Sequence, residues 1–539
     1  MAPNRSRARC GSVATGFFLS VAAAIVFQPH RALALQVTRG PYLQLATPTG
    51  VTIRWRTDLP TPSRVWYGPA PDALSSAAAD TTTTTEHAVA LAGLAPAERY
   101  AYAIGTDTEV LAGGDAAHVF TTAPEPGTRV STRLWVIGDS GTADQHAAAV
   151  RDAFMAYNAG EPPDVWLMLG DNAYESGTDA QYQAAVFDMY GALLARTTLW
   201  PTRGNHDSSN DYFGLFSLPT AGEAGGLASG TESYYSFDHA NLHLVCLDSW
   251  ASDRSPNGPM ATWLRSDLAA TTADWVIAYW HHPPYSKGSH DSDDNSDSGG
   301  RMKDMRENFA PILEAGHADL VLCGHCHAYE RSYLLRGHYG VSSTLTAAMK
   351  LDPGNGRDDG DGCYHKALHG AAGQGTVYVE AGCSGSARGG PLNHPAMAIS
   401  LDVLGSMVID VTGVSLHARF IDDQAQVRDE FMIAKSPKLS ARPSPRERGP
   451  RILFSAPGQT PGGAALRYTL PAPGRTQLSI YGIDGRHIRG LGDETQASGD
   501  HRIEWDGRDA AGHRVPPGLY FAELRWAGER RIARIVKLD

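Results

Sequence analysis

The sequence predicts a multi-domain chain, with a central α/β two-sheet sandwich (αββα) flanked by N-terminal and C-terminal β-sandwich domains. Three observations carry this. Between about residues 131 and 436, short apolar runs alternate with helical segments. On either side, residues 36–123 and 451–539 read as short strands separated by turn signals. The apolar runs of the middle segment end, one after another, in Gly, Asp, Asn and His.

The chain opens with Arg5, Arg7 and Arg9, then an apolar, small-residue stretch from Gly11 to Phe27, then Ala32-Leu33-Ala34. This is the pattern of a secretory signal peptide, 1–34, cleaved after Ala34. No later stretch is long and apolar enough to span a membrane. In the first domain, Val51–Arg56, Arg64–Tyr67 and Tyr100–Ile104 alternate with period two. Thr81–Thr85 is expected as an exposed loop, and Glu125-Pro126-Gly127 as a linker.

In the central segment, Leu134–Ile137 reads as a buried strand leading to Asp139, followed by a helix over Asp144–Asn158. Val165–Leu169 leads to Asp171, and a helix over Ala180–Ala195 follows. Leu199–Thr202 leads to Gly204-Asn205-His206-Asp207. Tyr234–Phe237 and Leu242–Val245 form a hairpin, Trp275–Tyr279 leads to His281, and Asp319–Cys323 leads to Gly324-His325-Cys326-His327. Strands near Thr376–Val379, Ser406–Val411 and Val414–Phe420 are expected to make a second sheet. Residues 437–450, rich in Pro, Ser, Lys and Arg, form a linker to the last domain.

Composition narrows the function. The net charge is -12, with no Lys/Arg run beyond the N-terminus, which argues against nucleic acid as the main partner. Five cysteines remain after cleavage. Cys363 and Cys383 flank an irregular loop and can bridge in an oxidising compartment. Cys246 and Cys323 lie in apolar strands and read as small buried hydrophobes.

A lone Asp after a strand is most often a helix cap or a turn former. Five carboxylate, amide and imidazole segments at successive strand ends are another matter. They are what a two-metal hydrolase needs to make a nucleophile and clamp a phosphoryl group. Asp171 is the expected bridge and Asp139 a terminal ligand to the first metal. Tyr174 can add a phenolate, a choice that favours a trivalent ion. Asn205, His281 and His325 complete the second metal, and His327 the first. His282 is expected to pack or hydrogen-bond rather than ligate. Tyr329, Glu330 and Arg331 are expected to brace the loop.

These segments stand as Gly138–Gly141, Gly170–Tyr174, Gly204–Asp207, Ala278–His281 and Gly324–His327. Together they resemble the motif set of purple acid phosphatases, within the calcineurin-like metallophosphoesterases. Ala278 replaces the valine of the fourth motif. The resemblance runs from Arg39 to about residue 420. It implies a metallophosphoesterase sandwich behind a fibronectin type III-like domain. It implies an Fe(III)–M(II) centre, with M being Zn, Mn or Fe, and a metal-bound hydroxide attacking a phosphate ester in line. It also implies second-sphere histidines at His206 and His290 that contact phosphate and help protonate the leaving group. After His290, the acidic run Asp291–Asp297 departs from the family's loop; it reads either as a solvated flap or as a device repelling polyanions. Residues 451–539 resemble the flagellar-hook-capping-type Ig-like domain, a spacer or a cell-surface retention module. The function expected is a secreted acid phosphatase acting on phosphomonoesters. A phosphodiesterase on the same site, or a surface-binding protein with a vestigial centre, are the alternatives.

Overall fold

The computed structural model describes residues 35–436, apart from 358–359 and 370–371. It also describes 453–538, apart from 456–458, 461, 471, 483–484 and 527–528. The expected leader (1–34) and linker (437–450) lie outside the described residues. The chain divides into two compact units, Met1–Lys438 and Leu439–Asp539.

Two seven-stranded sheets form the centre of the first unit. One runs Tyr364–Ala367, Val427–Ser436, Ser415–Asp422, Gly405–Thr412, Thr132–Ile137, Val165–Met168, Leu199–Pro201. The other runs Tyr235–His239, Leu242–Cys246, Trp275–Trp280, Leu320–Cys323, Val377–Ala381, Tyr329–Ser332, Met397–Leu401. Within each, a parallel run carries the polar segments: 132–137 beside 165–168 beside 199–201, and 242–246 beside 275–280 beside 320–323. Side-chain alternation divides the second sheet's faces. Leu244, Ile277 and Leu322 face the core shared with Val136, Leu167 and Phe420. Val245, Ala278 and Val321 face Leu264 and Leu313 of the helical segments Pro259–Ala270 and Ala310–Ala315.

The αββα sandwich is therefore present, but the sheets divide the strands differently from the expectation. Val377–Ala381 extends the His281/His325 sheet by parallel pairing, Leu320 opposite Val377. Gly405–Thr412 instead extends the Asp139 sheet by antiparallel pairing, Met407 opposite Val136. Apolar runs specify a buried strand, not its neighbour. The expected Cys363–Cys383 bridge is likewise not formed. Cys383 is a free, buried thiol whose carbonyl accepts from Gly405 N–H, while Cys363 precedes the edge strand Tyr364–Ala367 of the opposite sheet.

The N-terminal strands 37–47, 50–68, 76–92, 99–105, 110–113 and 119–121 form one hydrogen-bonded set. It closes over Ile53, Trp55, Val65, Tyr102 and Phe120, with a register shift between Arg56 and Ser63. Thr81–Thr85, expected as a loop, lies inside the Ser76–Ala92 strand, a placement that suits β-branched residues. This domain grips the central one: Tyr42 Oη donates to Leu215 O at 2.8 Å, Tyr102 Oη to Ala195 O at 2.8 Å, and Arg56 forks onto Asp179 at 2.6 and 2.7 Å. Asp179 begins the helical segment that carries Tyr182 toward the site.

The second unit is a β-sandwich. Strands 453–455, 464–470 and 499–505 form one sheet; 459–460, 529–537, 518–526, 474–482 and 487–496 form the other. Leu466, Tyr468, Ile480, Trp505, Leu524 and Ile535 fill its core.

Candidate metal centre

Each parallel run ends where a backbone turn throws a polar side chain back over the strand end. Asp139, Asp171 and His325 adopt φ of 54°, 51° and 77°. Left-handed backbone is costly for non-glycine residues and is held only where its surroundings enforce it. Here the enforcing bonds are visible. Asp139 N–H donates to Gly170 O at 3.1 Å and Gly141 N–H to Asp171 O at 3.1 Å. His206 N–H donates to Asp171 Oδ1 at 2.7 Å, and His325 N–H to Asp139 Oδ2 at 2.7 Å. The glycines between them make room. A Cβ on Gly204 would lie 2.1 Å from Asp171 Oδ1, and one on Gly170 2.6 Å from His281 Nδ1.

The structure brings all seven expected ligand residues to one place. Tyr174 Oη lies 3.4 Å from Asp139 Oδ1 and 3.3 Å from His327 Nε2. His327 Nε2 lies 3.5 Å from Asp139 Oδ1. His281 Nε2 lies 2.9 Å from Asn205 Oδ1, 3.5 Å from Asp171 Oδ1 and 3.2 Å from His325 Nδ1. The two histidines expected in the second sphere lie beside these groups. His206 lies edge-on to Tyr174 at 4.6 Å and hydrogen-bonds through Nδ1 to Glu175 O at 2.7 Å. His290 stacks on His325 at 4.1 Å.

The donor set fits a cation. His281 Nδ1 faces the Leu169 carbonyl at 3.0 Å, so that nitrogen carries the proton. In the neutral ring Nε2 then aims a lone pair at the Asn205 oxygen, an arrangement that needs a proton or a metal between them. Asp139 and Asp171 are both buried, and His281 is the nearest basic group to Asp171. Burial pushes the Asp171 carboxyl up to about 6, against the pull of His281 and with repulsion from Asp139 and Asp207. Burial works against charge on His281, but Asp171 and Asp139 outweigh it and raise its pKa. Burial raises the Tyr174 phenol as well, helped by the same carboxylates. A pocket this short of positive charge suits hard cations, which invert each of these shifts. Ligand atoms of Asp139, Asp171 and His281 lie within 4.8 Å of one another, as do those of His281, His282 and His325.

His282 is hydrogen-bonded through Nδ1 to Ser249 Oγ at 2.8 Å, as expected, yet its ring also packs 4.4 Å from His325. Burial and its cationic neighbours hold its pKa well below the ordinary imidazole range. Cys326, between the two histidines, turns its thiol toward His290 O at 3.8 Å. Tyr329 Oη and Arg331 brace the loop from beneath, all on Asp429 of the opposite sheet at 2.6 to 3.0 Å.

Sequence reasoning gave no role to three supports. Asp207 is wholly buried and accepts from Asn172 N–H, Asn172 Nδ2, Gly204 N–H and Tyr182 Oη. It pins the second strand-end turn to the third; its position after the Gly-Asn-His run was the available signal. Ser298 Oγ lies 2.6 Å from His325 Nε2, and Asp297 Oδ1 2.8 Å from His290 Nδ1. The acidic run Asp291–Asp297 folds on itself. Asp293 takes Ser342 N–H and pairs with Lys287 at 3.0 Å, Asp294 caps Ser296 N–H, and Asp297 takes Asp291 N–H. It is a flap whose carboxylates are mostly engaged within the protein.

The fold and these donors define a metallophosphoesterase-type domain. Residues 132–329 match the calcineurin-like phosphoesterase family, 38–122 the purple acid phosphatase N-terminal domain, and 455–525 the FlgD Ig-like domain. Among curated proteins, purple acid phosphatase 22 of Arabidopsis thaliana is 31% identical over 211 residues, covering 36% of this chain and 44% of the relative. Purple acid phosphatase 15 of the same plant is 27% identical over 276 residues, 46% and 49%. An uncharacterized protein of Mycobacterium tuberculosis is 28% identical over 173 residues, 28% and 31%. The chain thus spans less than half the length of these relatives. A solved purple acid phosphatase from yellow lupin (Lupinus luteus) seeds shares the fold, with a TM-score of 0.55 at 16% identity over 75% of this chain and 74% of that one. The chain is thus similar to purple acid phosphatases across its first two domains and to an Ig-like domain near its C-terminus.

Proposed function

We propose that this chain is a secreted, metal-dependent acid phosphatase that hydrolyses phosphomonoesters at a dinuclear Fe(III)–M(II) centre, M being zinc, manganese or iron. The observation that carries the reading is the convergence of two buried carboxylates with an imidazole lone pair aimed at an amide oxygen. Asp139, Asp171, Tyr174 and His327 would hold the first ion, and Asp171, Asn205, His281 and His325 the second. When bound, such a pair supplies a nucleophile near neutral pH and neutralises charge developing on the phosphoryl group. The protein's own part is positional. His206, held on Glu175 O, and His290, held on Asp297, would orient phosphoryl oxygens and deliver a proton to the leaving oxygen. The basic and apolar N-terminal pattern supports export with cleavage after Ala34, and the Ig-like domain serves as a spacer from the point of attachment or release.

The test is turnover of phenyl phosphate and of diphenyl phosphate by the full mature chain, with Asp171→Asn beside it and metal analysis of both. Monoester turnover that falls to background in the variant, with iron present in the wild type, supports the proposal. Undiminished turnover in Asp171→Asn overturns it, and preference for the diester moves the function to a phosphodiesterase.

A further inference from the structure

A cavity of about 730 Å³ is walled by Trp250, Arg254 and Arg301, with Asp253 and Asp304 also on its lining. A single residue joins it to the site. Ser298 contacts His325 Nε2 through its hydroxyl at 2.6 Å and accepts from Arg301 Nη1 through its carbonyl at 2.7 Å. On the other side, the Trp250 ring lies parallel to His282 at 6.4 Å, and His282 packs 4.4 Å from His325. Ser298 and His282 thus link His325 of the centre to Arg301 and Trp250 of the cavity wall.

The walls carry two guanidiniums, Arg254 and Arg301, and two carboxylates, Asp253 and Asp304. Arg301 Cζ lies over the Trp250 ring, 4.3 Å from its centroid, and Nε–H donates to Trp250 O at 3.1 Å. Among the described residues no carboxylate lies within 4.0 Å of it, and its Nη2 donates to no protein acceptor. Arg254 donates through Nη1 to Trp250 O and Ser252 O, and through Nε to Asp304 at 3.2 Å, leaving its own Nη2 without a protein acceptor. The other nearby carboxylates are engaged: Asp253 takes Ser255 N–H and Oγ, and Asp248 takes three backbone N–H groups and Ser252 Oγ. Burial and the Arg254 charge both hold Arg301 below the ordinary guanidinium range. Backbone carbonyls orient both guanidiniums; Arg254 is also ion-paired with Asp304, which leaves Arg301 as the one of the two with no carboxylate partner. Preorganised guanidinium forks of this kind are matched by phosphate.

We propose that the Trp250–Arg254–Arg301 cavity is a subsite for a second phosphate on the substrate. The preferred esters are then bisphosphorylated small molecules rather than simple monoesters. This rests on the phosphatase reading above. It also gives the acidic flap a different meaning from repulsion of polyanions, since Asp291, Asp293 and Asp297 are spent on Lys287, Ser342 and His290.

The experiment compares kcat/KM for fructose 1,6-bisphosphate and fructose 6-phosphate in the full mature chain, at low and high salt, for wild type, Arg254→Gln and Arg301→Gln. The wild type should favour the bisphosphate by about tenfold at low salt, less at high salt, as expected of a screened charge contact. Each variant should lower that ratio several-fold. A merely structural role for either arginine would depress both substrates together and leave the ratio intact. Equal kcat/KM for the two esters in the wild type, or a ratio unmoved in both variants, overturns the subsite while leaving the phosphatase reading. Turnover of neither ester by the wild type overturns the phosphatase reading, and the subsite with it.

Discussion

His290 donates Nδ1–H to Asp297 Oδ1 at 2.8 Å, and Asp297 is itself fixed by the Asp291 N–H and the Ser298 hydroxyl. Burial disfavours the Asp297 charge, but these donors outweigh it and hold its pKa low. The carboxylate thus sets which imidazole nitrogen is left for the substrate. Asp297→Asn keeps the shape and removes the charge. Supporting residues of this kind typically account for about 10–100-fold in activity. If His290 protonates the leaving oxygen, the loss will grow with leaving-group basicity: small for 2,4-dinitrophenyl phosphate, large for alkyl phosphates. A uniform loss across that series would reduce Asp297 to a loop anchor.

Gly204 approaches Asp171 so closely that any Cβ lands on the carboxylate and on the Asp171 backbone N, 2.1 and 2.3 Å away. Neither is the free end of a flexible chain. Gly204→Ala should therefore fold, because the clash is local, yet displace Asp171 from both Asn205 and His281. The expected outcome is lower metal content with lost activity, read by elemental analysis beside the thermal midpoint. Retained metal and activity would show that the third strand-end turn can shift without consequence.

The seven candidate ligand residues are legible because each sits within a few residues of an apolar strand, and all but His281 closely follow a glycine. That local grammar reports side-chain type and turn, and both survive folding. What the sequence did not disclose is relational. Val377–Ala381 and Gly405–Thr412 are both apolar runs, and only their pairing with Leu320 and Val136 puts them in different sheets. Cys363 and Cys383 seemed poised to bridge for the same reason: proximity in sequence was read as proximity in space. Asp207 reaches Asn172, Asp297 reaches His290 and Ser298 reaches His325, across 35, 7 and 27 residues, beyond the reach of a motif. Trp250 and Arg254 carried no motif at all, and became a candidate subsite only once Ser298 linked Arg301 to His325.

His243 provides a test of the fold apart from the site. It is buried, with Nδ1 on Asp238 at 2.7 Å and Nε2 on Asp267 at 2.8 Å, so both nitrogens donate and the ring is an imidazolium. Burial alone would lower its pKa, but the two carboxylates prevail and raise it to about 9. Its folded pKa thus lies above the unfolded value of roughly 6.5. The stability it contributes is fully present below pH 6.5 and is lost as pH rises through 9. A shift of that size corresponds to about 3 kcal/mol. The charge-free variant His243→Gln should lose that pH-dependent share. Urea unfolding of wild type and variant, compared at pH 6 and pH 9.5, should show a large stability gap at the lower pH that narrows at the higher. A gap that stays constant across the range would mean that His243 is held neutral, and that the Asp238 and Asp267 contacts do not charge it.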